Sequence, residues 1–260
     1  MSAGVPSMTY TSTSPWSMSS DSPFTKAYVE KAFSGMEQPV VFGFNGAFAF
    51  YSHDPDKAEE KGFARESIVF SNHYVHSDEE MYKFEVPELF LEDIRKDSQW
   101  TEQMKFVQAR NSEAHIMLIK AAIFGDFHAY VTMWRDPNNA AHVKEIGRNV
   151  RGFTNEKWFR VLPQVALEVI WQKFTKVQTF HDYLVEVASK HILIIEHTRH
   201  DSLWGNGADF VIGQTQTIPS TWRDCKSGNQ ACNILGWALM SVGHALVQRM
   251  GMGAWLIYAD

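Results

Sequence analysis

The chain has 260 residues, 45% of them hydrophobic and 13% aromatic. That is enough to bury a sizeable core and, at about 150 residues per domain, makes one large or two small domains. Lys and Arg total 24 against 30 Asp and Glu, a net charge of −6, which excludes the basic balance of a free-standing nucleic-acid binder but leaves room for a local phosphate pocket. No apolar run approaches the ~20 residues that span a bilayer, and no basic stretch followed by an apolar one marks a secretory leader, so a cytoplasmic chain with no membrane partner is expected.

Residues 1–22 are rich in Ser, Thr and Pro with almost no periodic apolar content, so a disordered tail is expected, followed by one domain over 23–260. Phe24, Tyr28, Ala32 and Phe33 have helical spacing up to Met36. Pro39–Tyr51 mixes β-branched and aromatic residues with Gly, the pattern of strands or a tight hairpin. Asp54–Arg65 is charged and reads as a loop. Apolar residues then recur at three- and four-residue spacing over Asn111–Phe124, Asn138–Ile146, Asn155–Phe174 and Val177–Ser189. Asn111 and Asn138 are candidate N-caps, and Gly125 and Gly147 candidate stops. At Ile192–Ile195 a buried strand competes with helix, and a last helix is expected over Ala231–Met250. The two cysteines, Cys225 and Cys232, are too few for a disulfide scaffold and lack zinc spacing, so both read as reduced. No linker divides the body. The expectation is a mainly α, compact multihelical single domain with a few short β-strands.

Three stretches could carry chemistry. In the first, seven residues separate Glu113 from Lys120, nearly two helical turns, so an acid and an amine share one face about 10 Å apart. A solvated helix face gives the same spacing, but Ile116–Ile119 is apolar and argues for a buried helix whose charges need partners. In the second, His200–Gly207, Asp201 lies three residues before Trp204, and Gly205 and Gly207 permit close backbone approach to a ligand. That suits a sugar or a base, and an N-capping Asp beside a packed Trp fits as well. In the third, Lys144 and Arg148, beside Arg151, suit phosphate oxygens, or simply complement a helix dipole. Glu196, His197, His200 and Asp201 lack HExxH spacing, and 11 histidines make such groupings by chance, so no metal is expected. There is no dinucleotide fingerprint and no phosphate loop, and no cofactor is expected.

In order, these stretches resemble the NADAR, or YbiA-like, N-glycosidases. The resemblance is carried by Phe70-Ser71-Asn72, Ser112-Glu113 with Lys120-Ala121, Phe124-Gly125-Asp126, Gly147-Arg148-Asn149-Val150 and Phe153 with Trp158. It continues in Lys173-Phe174, Asp201-Ser202-Leu203-Trp204-Gly205-Asn206-Gly207, and Asn233-Ile234-Leu235-Gly236 through Met240. The sequence departs from the pattern at Gly243, where the family carries Arg, and in an acidic insertion between Asn72 and Glu113 that includes Ser77-Asp78-Glu79-Glu80.

The resemblance implies a hydrolase that cleaves the bond between a base and a phosphorylated ribose or ADP-ribose. Its substrates would be ADP-ribosylated guanine in nucleic acid or ribosylamino-pyrimidine phosphates of the riboflavin pathway, with no obligate protein partner. Glu113, Lys120 and Asp201 match positions implicated in the chemistry. In that reading Glu113 or Asp201 stabilises positive charge at C1, and Lys120 can trap C1 as a Schiff base. Trp158 or Trp204 stacks on the base or adenine, Asn72 and Arg148 orient hydroxyls and phosphates, and the Gly205 backbone approaches the ligand. The alternative is a module that binds ADP-ribose or a modified nucleotide without cleaving it.

Overall fold

The computed structural model describes residues 22–24, 47–190, 192–198, 201–207 and 232–250. The architecture is mainly helical. Strand β1 (Ala47–Phe50) leads to a short helix α1 (Pro55–Glu60), then to a run of 3-10 turns interrupted by β2 (Phe84–Glu85) and β3 (Phe106–Val107). Helices α2 (Ser112–Ile123), α3 (Phe127–Arg135), α4 (Ala140–Arg148), α5 (Asn155–Lys176) and α6 (Gln178–Ser189) follow, then β4 (Leu193–Glu196) and α7 (Ile234–Arg249). Among the described residues no helix is long and apolar enough to cross a membrane.

The helices start where side chains satisfy their free N–H groups. Asn111 Oδ1 accepts the Ala114 N–H at 2.9 Å, and Asp126, Asn139 and Thr154 cap α3, α4 and α5 in the same way. The core lies around α5, which buries Val165, Val169, Ile170, Trp171 and Phe174 against α2, α6 and α7. Gln172 on that helix reaches β2: its Oε1 accepts the Glu85 N–H at 2.9 Å and its Nε2 donates to the Glu85 carbonyl at 2.7 Å, so one amide supplies a strand edge with both bonds.

β1 and β4 pair in parallel, with Phe48 opposite Ile194 and Phe50 opposite Glu196. The other edge of β4 is closed by Asn233, in the left-handed region at φ 50°. Its Nδ2 donates to the Ile194 carbonyl at 2.9 Å, and its Oδ1 accepts the Glu196 N–H at 3.0 Å. One turn on, Gly236 lies so close to the strand that a Cβ there would sit 2.2 Å from the Ile194 oxygen.

Several expectations need correction. Asp54–Arg65 is not all loop: Asp54 caps α1, a six-residue helix that buries only Ala58 and therefore has no apolar stripe to read. Helix α3 was not anticipated, although Asp126 caps it and Phe127, Tyr130 and Met133 are buried along it. Gly147 does not stop α4, which runs to Arg148; its missing side chain admits Met117, whose Sδ would lie 2.2 Å from a Cβ. Asn139, not Asn138, is the cap. β1 joins a parallel pair and not a local hairpin. Cys232 is disulfide-bonded, not reduced; Cys225 lies outside the described residues, as do nearly all of the expected tail and of the first predicted helix.

Candidate active site

The front wall begins with an aromatic anchor. Phe70 is fully buried, edge-on to Phe48 and Phe50 and stacked on Tyr183 at 5.2 Å. It fixes the next two residues. The Ser71 carbonyl accepts the Lys173 ammonium at 3.0 Å, and the Asn72 carbonyl accepts the Glu113 N–H at 3.0 Å. Asn72 is buried, and its Oδ1 has no hydrogen-bond partner among the described residues.

Glu113 lies in the first turn of α2. Burial pushes its carboxyl upward; Lys144, Arg148 and Lys120 pull the other way and Asp201 adds to the rise. Two turns along α2, Lys120 is buried, and its Nζ donates to the Gly147 carbonyl at 2.8 Å. The ammonium sits 4.0 Å from the Phe153 ring centre and 5.9 Å from that of Trp158. Burial lowers its pKa, and Glu113 opposes the fall. Trp158, 6% exposed, is a wall of the lysine's surroundings and offers little open ring face. The close contact of Gly147 with Met117 brings the end of α4 here, where Arg148 is exposed and has no ion pair among the described residues. Arg151 is paired elsewhere: its Nε and Nη2 donate to Asp126 Oδ1 at 3.1 and 2.8 Å.

Asp201 lies in the turn after β4. Asp201 Oδ1 accepts the Leu203 and Trp204 N–H groups at 2.9 and 2.8 Å, so this acid closes a turn and caps no helix. Trp204 is half-buried. Gly205 has a different reason from the one expected. A Cβ there would meet Thr198 Cγ2 at 2.3 Å and the Glu196 carbonyl at 2.9 Å, so the backbone that approaches it is the chain's own.

The charges of Lys144, Arg148, Lys120 and Asp201 all act on Glu113. Glu196 joins them. It feels both Asp201 and Glu113, and its Oε2 is buried without a partner. Sequence reasoning considered Glu196 only as a metal ligand and dropped it. Its position at the end of a short buried strand, five residues before Asp201, was the available signal. Lys144 belongs to the same field.

A family model of the NADAR domain matches residues 56–247, a span that contains every one of these side chains. No curated protein matches the chain. With about three quarters of its length under that model, the chain belongs to the NADAR domain family.

Proposed function

We propose that the protein hydrolyses the N-glycosidic bond between a base and a phosphorylated ribose or ADP-ribose. The observation that carries this reading is the meeting of Glu113, Asp201 and Lys120 in one electrostatic field. The NADAR family is associated with N-glycosidase-type activity, which supports the reaction class.

Breaking a ribosyl C1–N bond builds positive charge on C1 and the ring oxygen, and carboxylates fixed in a partly dry site stabilise that charge. Glu113 and Asp201 fill this role. Lys120, drawn toward its neutral form by burial, is suited to attack C1 as the base leaves with the bonding pair. Opening of the sugar ring then gives an imine, and water returns the amine and the free ribose. Arg148 has no ion pair among the described residues, and with Lys144 it suits the phosphates. Asn72 Oδ1, an acceptor with no partner among the described residues, suits a ribose hydroxyl. Trp204, only half-buried, takes the stacking role in preference to Trp158.

The test uses the full chain with an ADP-ribosylated guanine oligonucleotide and, separately, ribosylamino-pyrimidine phosphates, with products identified by mass. Release of free base from either supports the reading. Calorimetric binding of ADP-ribose with no base released from any substrate overturns it in favour of a binding module.

A further inference from the structure

Glu196 ends β4 with its backbone fully engaged: the N–H donates to Asn233 Oδ1 at 3.0 Å, and the carbonyl accepts the Asn206 N–H at 2.9 Å. Its side chain makes no hydrogen bond or ion pair among the described residues, and Oε2 is sealed from solvent. Glu196 as a whole is half-buried, and a carboxyl partly withdrawn from water with no donor is costly to ionise. Its charged neighbours add to that cost, because they are the carboxyls of Asp201 and Glu113. β1 and the α7 residues from Ile234 to Gly243, packed against the strand, bring no titratable side chain. The adjacent His197 turns its Nδ1 to the Asn206 amide at 2.8 Å. Lys144, Arg148 and Lys120 act on Glu113. Burial, then Asp201 and Glu113, push the Glu196 carboxyl up to about 8.

We infer that Glu196 is the acid that protonates the departing base, an assignment that rests on the glycosidase reading above. Glu113 faces three cations, which oppose the rise that burial gives it, and Asp201 Oδ1 accepts two backbone N–H groups. Glu196 alone of the three has neither. As the C1–N bond breaks with its pair on nitrogen, the Glu196 proton moves to that nitrogen and leaves a carboxylate facing the positive C1. Lys120 bonds to C1 as the base leaves, and hydrolysis of the resulting imine places a water oxygen on C1 and frees the amine, the one proton released passing through Glu113 back to Glu196. One water is consumed, one free base leaves, and a hydroxyl remains on C1.

The experiment compares the wild type with Glu196→Gln, which keeps the shape without the proton, and Glu196→Asp, which keeps an acid. The readouts are base release from the ADP-ribosylated guanine oligonucleotide and the ribosylamino-pyrimidine phosphates across pH, with thermal melts to confirm folding. In the wild type, kcat falls as pH rises through about 8. Glu196→Gln is expected to lower kcat by about 100-fold or more, the usual scale of general-acid catalysis, and to abolish that fall, with KM little changed. Glu196→Asp keeps the fall at reduced kcat. A folded Glu196→Gln within about threefold of wild type, with the alkaline fall intact, overturns the assignment and leaves the glycosidase reading standing. If Glu196→Gln does not fold, Glu196→Asp decides: loss of the alkaline fall in that variant overturns the assignment. No base release by the wild type overturns both.

Discussion

Lys173 and Ser71, 102 residues apart in sequence, are joined by one hydrogen bond, the buried ammonium donating to the carbonyl at 3.0 Å. The next carbonyl, that of Asn72, receives the Glu113 N–H. A lysine on the central helix thus holds the segment that seats a candidate catalytic acid.

Replacing Lys173 with Met removes this tether while filling the same space. The Ser71 carbonyl loses its donor, at a cost of about 1–3 kcal/mol, offset in part because a desolvated amine has gone. The fold is expected to survive. Base release is expected to slow by about 10- to 100-fold in kcat, the scale of a misplacement near the reacting atoms, with a smaller change in KM. A folded variant with wild-type kcat would show that the tether does not position the site.

Lys120 makes a covalent prediction. Borohydride added during turnover is expected to fix a ribosyl adduct on the peptide that contains Lys120, and Lys120→Arg is expected to lose both adduct and activity. If wild-type Lys120 stays unlabelled while base is released, water attacks C1 directly.

Asn233 and Gly236 are predicted to matter for stability more than for chemistry. Asn233→Ala removes both amide bonds to β4 and places Ala at a positive φ, for an expected loss of about 2–3 kcal/mol in urea unfolding. Gly236→Ala drives a methyl against the Ile194 carbonyl, with about 1–3 kcal/mol lost. Melting behaviour equal to wild type in both variants would mean that the α7–β4 junction is dispensable.

Glu196, Lys173 and His76 each contribute to the pH dependence of stability. Burial and its acidic neighbours raise Glu196 to about 8, so the folded state holds a proton that the unfolded chain releases from about 4.5 upward; its contribution is present below 4.5 and lost as pH rises through 8. Burial lowers Lys173 to about 7. Between 7 and about 10.5 the unfolded chain binds the extra proton, so stability rises with pH across that window. His76, pushed down to about 3 by burial and then by Lys173, contributes stability above about 6.5 that is lost as pH falls toward 3. Urea midpoints from pH 4 to 10 test this. Glu196→Gln should flatten the 4.5–8 slope and Lys173→Met the 7–10.5 slope, and slopes unchanged in both variants would refute the assignments.

Much of this was legible in the sequence because it is local. The spacing of Glu113 and Lys120 on one buried helix, the Asn111 cap and the helical stripes of α5 and α6 depend on residues within a few turns. What escaped depends on contacts between distant segments. The Gly147 position is explained only by Met117 on another helix, and Gly205 only by Thr198 and Glu196 packed over it. Arg151 looked free for phosphate until Asp126 was found against it. Glu196 gains its character from burial and from two acids elsewhere in the chain, which no spacing rule encodes.

The parallel pairing of Ala47–Phe50 with Leu193–Glu196 fastens the two ends of the helical body together. Four residues on each side hold a closure whose ends are widely separated in sequence, so this ribbon is slow to form and among the first joints to part on heating. When it opens, β4 keeps only its other edge, where Asn233 and Asn206 hold the Glu196 backbone. Base release is therefore expected to fade at a lower temperature than the far-ultraviolet helical signal, making the working range narrower than the folded one.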